Sequence, residues 1–179
     1  MTTSFQADKA SLTNSKRLRG GVEYVWAGLR IALGWIFLWA FLDKMFGLGH
    51  STESADAVIE GGSPTAGFLG FATKGPFADL YQSIAGAAWA DVLFMAGLAG
   101  IGAALVLGVG MRVAAAAGAL LMVLMWTAVL PPETNPFMDD HLINAGLLVA
   151  LAAVGAENTL GLGRVWGRLE LVEKHRWLK

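Results

Sequence analysis

Cysteine is absent from this 179-residue chain. Its absence excludes disulfides, thiol redox chemistry, iron–sulfur clusters and cysteine-based zinc sites. Histidine is nearly as scarce, with only His50, His141 and His175. No two of these fall on facing apolar segments, so a helix bundle with two axial haem ligands is not available, and no metal is expected. Charge is thin as well. Charged residues make up 15% of the chain, against roughly 25% in an ordinary soluble domain. The net charge of −1 leaves no global basic field, so nucleic acid is not an expected partner. The glycine-rich stretch 97–110 lies inside an apolar run rather than after a strand, which excludes a nucleotide-binding loop.

What the chain has instead is long hydrophobic runs. Hydrophobic residues make up 55% of it, with 23 glycines. The first run, Val22 to Leu42, ends at Asp43-Lys44. About 20 helical residues cross the hydrocarbon core of a bilayer, so this run is long enough to span. It is too long for a signal-peptide core and reads as a retained helix. Three more runs follow at Trp89–Gly110, Val113–Leu130 and Leu142–Ala156. The last is short, and reaches full length if Glu157 snorkels or pairs and the helix continues toward Leu162. The expected fold is an all-α membrane protein. It is a four-transmembrane-helix bundle with helices at about 22–42, 89–110, 113–130 and 140–160 inside a membrane domain at 21–163.

Charge sets the expected orientation. Lys9, Lys16, Arg17 and Arg19 precede the first run, Arg112 sits in the second turn, and Arg164, Arg168, Lys174, Arg176 and Lys179 follow the last run. With four spans all of these lie on one side. The other side holds Lys44 and Lys74 among many carboxylates. The positive-inside rule then makes the protein multi-pass with both termini cytoplasmic.

Outside the spans, residues 1–20 read as a disordered cytoplasmic tail. The long connection at 43–88 is not featureless. Glu60-Gly-Gly-Ser-Pro64 is a turn cluster. Pro76 suits a helix start, and Phe77, Leu80, Tyr81 and Ile84 form one stripe. With Phe68, Leu69 and Phe71 this predicts two short helices lying in the outer interface. Residues 164–179 read as one basic amphipathic helix on the cytoplasmic surface, from the stripe Val165, Leu169 and Val172. Gly100, Ala104 and Gly108 make a small-residue face on the second helix, suited to close packing.

Two polar constellations stand out. Arg30, Gly34, Phe37, Phe41 and Lys44 share one stripe of the first helix. An arginine inside a span costs on the order of 2.5–3.5 kcal/mol on insertion scales and is kept for function or pairing. Arg30 is read here as a structural ion pair with Glu157, against a substrate-facing role. At the opposite end, the tract 131–142 contains Asp139, Asp140 and His141. One of the two aspartates caps the fourth helix. The imidazole of His141 can both accept and donate a proton, so it can move protons. Lys44, Asp140 and His141 are the candidate catalytic residues. Phe37, Phe41, Asp43 and Asp139 are the candidate cofactor-binding residues, with Asp91 at the same level.

Four segments together resemble the DoxX/DoxD family. They are Leu29 to Lys44, Gly61-Gly-Ser-Pro-Thr-Ala-Gly-Phe-Leu69, Gly102 to Arg112, and Asn135-Pro-Phe-Met-Asp-Asp-His-Leu-Ile143. The likeness runs from about Gly28 to Arg164, with the motifs in family order. One departure is Leu160-Gly-Leu-Gly-Arg164, where family members often carry an aspartate before the arginine. The resemblance implies a bacterial or archaeal cytoplasmic-membrane protein. In one branch it implies a subunit of thiosulfate:quinone oxidoreductase with quinone as the cofactor. In another it implies a non-catalytic scaffold that anchors a redox or oxidative-stress complex through a partner protein on the cytoplasmic side. The lipid bilayer is the first partner either way, and a homo-oligomer is expected if the bundle forms a transport pathway.

Overall fold

A computed structural model describes residues 2–133 and 135–179, with side chains described from residue 20 onward. Helix α1 spans Thr2–Phe46. Its backbone is already helical across the expected disordered tail, where side chains 1–19 lie outside the described residues. Short pieces follow: single 3₁₀ turns at Ser54–Asp56, Val58–Glu60 and Gly75–Phe77, a π-type turn at Phe68–Ala72, and α2 at Ala78–Ser83. The long helices α3 (Ala88–Leu107) and α4 (Met111–Ala128) come next, then α5 (Asp140–Val154). After a 3₁₀ turn at Ala156–Asn158 come two short helices, α6 at Gly163–Trp166 and α7 at Glu170–Lys174, and a last 3₁₀ turn at Arg176–Leu178. No strand occurs among the described residues.

Three helices are long and apolar enough to cross a membrane: Gly20–Phe46, Ala88–Leu107 and Met111–Ala128. The reason is direct. Backbone polar groups cannot be left unsatisfied in hydrocarbon, and a helix of about 20 apolar residues satisfies them internally. The fourth apolar helix stops short of the expected 140–160. It ends at Val154 because Gly155 takes a left-handed conformation (φ 70°, ψ 40°) and turns the chain. Glycine meets no Cβ penalty there.

Helix α1 packs along α3, α4 packs along α5, and α3 joins the two pairs. The α1–α3 crossing is close. A Cβ on Gly34 would lie 2.8 Å from Leu105 Cβ and 2.9 Å from Val106 N. A Cβ on Gly102 would lie 2.8 Å from Leu38 N. Gly118 of α4 lies under Leu148 of α5 in the same way. Gly100 itself takes no part, since among the described residues outside its own helix nothing lies within 4 Å of a Cβ built there. Leu33, Phe37, Leu98, Leu105, Leu148 and Leu151 form the centre of the core.

The bundle therefore has two ends. The loop end carries residues 47–87 and 129–139. The tail end carries the 108–110 turn and residues 155–179. The tail does not form one amphipathic helix. Leu169 is extended (φ −66°, ψ 133°) and separates α6 from α7. Val172 turns inward and is fully buried, while its neighbour Leu171 is exposed.

Candidate functional site

Each buried or half-buried aspartate at the loop end has its own structural task. Asp43, in the last turn of α1, accepts hydrogen bonds from the backbone N–H of His50 (3.2 Å), the N–H of Ser51 (3.0 Å) and Ser51 Oγ (2.7 Å). It is 1% exposed. A carboxylate that accepts several such donors fixes the turn leaving the helix. Asp91 does the same for the Gly-Gly-Ser-Pro-Thr turn. Its Oδ1 accepts from Ser63 Oγ (2.9 Å), Thr65 N–H (3.1 Å) and Thr65 Oγ1 (2.6 Å). Thr65 Oγ1 accepts in turn from Gly86 N–H (3.2 Å). This clasp straps the long connection to the first turn of α3. Sequence reasoning placed Asp91 at the right level but not in this role. The signal was there, as two hydroxyl residues, Ser63 and Thr65, in a glycine- and proline-rich turn.

Asp139 is the aspartate that caps α5, and Asp140 is not. Asp139 has extended backbone and accepts from Leu142 N–H at 3.3 Å. Its second oxygen lies 2.7 Å from His141 Nδ1. An ionised carboxylate only accepts, so Nδ1 carries the proton toward Asp139. In the neutral ring Nε2 is then left as a proton acceptor. The side chains of His141 and Asp139 are 20% and 10% exposed, and that of Asp140 is 84% exposed. Asp140 Oδ1 is 3.7 Å from His141 Nδ1, too far to be a hydrogen bond. These three residues are the group with cation-ligand spacing among the described residues, their donor atoms lying within 4.8 Å of one another. Asp139 is already committed to the helix cap and the imidazole, and no further ligand among the described residues completes the set.

The structure therefore sorts the expected site residues. His141 and Asp139 are brought together. Lys44 is half-buried near the end of α1 and makes no hydrogen bond or ion pair among the described residues. Phe41 is half-buried against the core. Phe37 is 2% exposed within the core, and the Asp43 carboxylate is fully engaged by the 50–51 turn. Neither of these two presents a surface to a ligand. No hydrogen bond or ion pair among the described residues links the Asp43-Lys44 pair to the Asp139–His141 pair. The loop end is further tied by Lys74 to Glu133, and by Tyr81 Oη, which donates to Leu124 O (3.0 Å). Lys74 holds the exposed Glu133 carboxyl below the usual carboxylate range.

At the tail end, Arg30 does not form a salt bridge with Glu157. The guanidinium clamps backbone carbonyls instead. Nη1 donates to Leu105 O and to Val106 O (3.1 Å), two carbonyls in the last turn of α3. Nη2 donates to Leu160 O (2.8 Å) and Thr159 O (3.3 Å). The physical reason is helix geometry. The last four carbonyls of a helix have no intrahelical partner, and their dipoles favour a cation. Arg30 is fully buried. Gly108 makes room for it, because a Cβ there would lie 2.7 Å from Nη1. Arg30 Nε and Glu157 Oε2 are buried and make no hydrogen bond.

The fold and these contacts define an all-helical protein with three helices suited to crossing a membrane, a strapped loop end and an arginine-clamped tail end. No protein-family model, no curated protein and no solved structure matches the chain.

Proposed function

We propose that this chain is a four-pass, DoxX-like subunit of a quinone-linked redox system in the cytoplasmic membrane of a bacterium or archaeon. The observation that carries the proposal is the His141–Asp139 hydrogen bond of 2.7 Å at the loop end. A bound quinone supplies an electron-accepting ring whose reduction consumes protons. Asp139 orients the imidazole of His141, and Nε2 exchanges the proton. Asp140, open to water, stands beside the ring as the link to solvent. Lys44 offers N–H donors at the same end of the bundle, and Phe41 offers apolar surface. Phe37 and Asp43, engaged elsewhere, have no part in this reading. Electrons arrive from the donor directly or through the cofactor of a partner protein.

The four-pass reading rests on α5. Fifteen residues give a helix of only about 22 Å, against a core of roughly 30 Å. Yet α5 runs beside α4, starts at the loop end, and leads to Leu162, whose N–H donates to Leu107 O at the tail end (2.8 Å). The missing length is supplied by residues 155–162, whose irregular backbone is served by Arg30. Two short loop helices in the outer interface complete the reading.

Orientation is tested by labelling. The chain has no cysteine, so Glu53→Cys and Arg168→Cys each create one reactive thiol. In intact cells an impermeant maleimide should label position 53 and not position 168. Labelling of both or of neither position, or the reverse pattern, defeats the four-pass arrangement with cytoplasmic termini.

Activity is tested in proteoliposomes with thiosulfate and decylubiquinone. Quinone reduction should be visible in the wild type. His141→Gln should lower it by about 100-fold, the lower end of what a positioned acid–base contributes. A wild-type rate no higher than that of empty liposomes rules out this activity for the isolated chain.

A further inference from the structure

We infer that residues 163–179 form a dock for anionic phospholipid headgroups at the membrane surface where α4 begins. This inference rests only on α3 and α4 lying in a membrane, and not on any redox role.

Depth is the first argument. The N–H of Arg112, the second residue of α4, donates to Lys179 O (2.7 Å). Its guanidinium donates to Arg176 O (3.0 Å). The helix start needs such acceptors, since Gly110 provides no side-chain cap. Trp166 Nε1 donates to Leu178 O (2.7 Å), closing the segment on itself. The buried Val172 fixes its inner side. The segment is thereby held at the level where the 111–128 helix enters lipid.

Surface chemistry is the second. Val165, Leu169, Leu171 and Trp177 are all exposed. In water this would be an unfavourable apolar display, but at headgroup depth it is the normal one. Cations interleave with these residues as Arg164-Val165, Arg168-Leu169 and Arg176-Trp177. All three arginines are exposed, and none is ion-paired among the described residues. Lys174 is held by Glu170 (2.8 Å). Five cationic side chains stand against two carboxylate side chains in the segment. A planar guanidinium matches a phosphate bidentately, and tryptophan prefers the interface. The combination fits an anionic phosphodiester headgroup with acyl chains beside it. An acidic soluble protein would complement the charge but would have to cover four separate apolar side chains.

The experiment uses the full chain with Leu171→Cys carrying an environment-sensitive fluorophore. Nanodiscs of phosphatidylcholine are compared with discs of increasing phosphatidylglycerol content, all containing a spin-labelled quenching lipid. Quenching should rise with phosphatidylglycerol and fall at high salt. Each cation near an anionic surface is worth a factor of roughly five. The variant Arg164→Gln, Arg168→Gln, Arg176→Gln should therefore need severalfold more phosphatidylglycerol for half-maximal quenching, with an unchanged melting temperature. Equal quenching in both kinds of disc, or no response to the triple substitution, overturns the inference. So does a probe that stays in water in every disc and is shielded only when a soluble protein is added.

Discussion

Arg30→Met is expected to destabilise the folded protein by about 3–5 kcal/mol, the usual cost of removing one partner from a buried charged network. For a chain of this size that corresponds to a fall in melting temperature of roughly 6–20 °C in detergent. The clamp explains the size of the effect. Two carbonyls belong to the end of α3 and two to the irregular stretch after α5. The guanidinium is fully buried, and buried backbone carbonyls outside regular helix need protein donors to satisfy them. Arg30→Lys should recover part of the loss, because one ammonium cannot reach both carbonyl pairs as the fork does. Glu157→Gln distinguishes the clamp from the expected ion pair. Under an ion pair it would cost about as much as Arg30→Met. With the clamp it should cost clearly less than that, since no hydrogen bond joins the two side chains and only their through-space attraction is lost. A melting temperature in Arg30→Met within a degree or two of wild type would show that those carbonyls find other donors.

The same contrast shows what can be read from a one-dimensional pattern. The long helices were legible because hydrocarbon imposes one simple demand, about 20 apolar residues in a row. The cap at Asp139 or Asp140 was legible as a choice between neighbours, and only backbone geometry decided it. Arg30 was legible as a buried cation, but its partner was not. A sequence displays side-chain charges and hides the orphan carbonyls at helix ends, so Glu157 stood out and Leu105, Val106, Thr159 and Leu160 did not. Asp43 was misplaced for a similar reason. Its acceptor capacity is consumed by the N–H groups of a turn whose course no periodicity reveals. The end of α5 at Gly155 was hidden because a glycine within an apolar run reads as packing until its φ is known. At the loop end the cluster Asp139, Asp140 and His141 was visible in the sequence, but spacing grouped His141 with Asp140, and only the geometry shows that Asp139 meets the imidazole and that both stand apart from Asp43-Lys44.

The small residues carry the same lesson into the second large effect. Spacing pointed to Gly100, Ala104 and Gly108; Gly108 meets the Arg30 guanidinium, but the close contact between α1 and α3 lies at Gly34 and Gly102. Gly34→Ala should destabilise by roughly 1–3 kcal/mol, the cost of forcing extra volume into a packed contact. Gly100→Ala has open space around it and should be neutral, or stabilising by up to about 1 kcal/mol from helix propensity. Gly34→Leu should be far worse than Gly34→Ala, for a reason beyond sterics. Gly34 lies one turn from Arg30 on the same face of α1, and it abuts Leu105 and Val106, the residues whose carbonyls Arg30 holds. A side chain at position 34 that pushes α1 from α3 also pulls the guanidinium off its acceptors. The two sites are therefore one interaction. Combining Gly34→Leu with Arg30→Met should cost clearly less than the sum of the single changes, with a coupling of about 1–3 kcal/mol in a double-mutant cycle. Simple additivity would mean that the α1–α3 spacing and the arginine clamp are independent. Gly34 would then be a packing residue and nothing more.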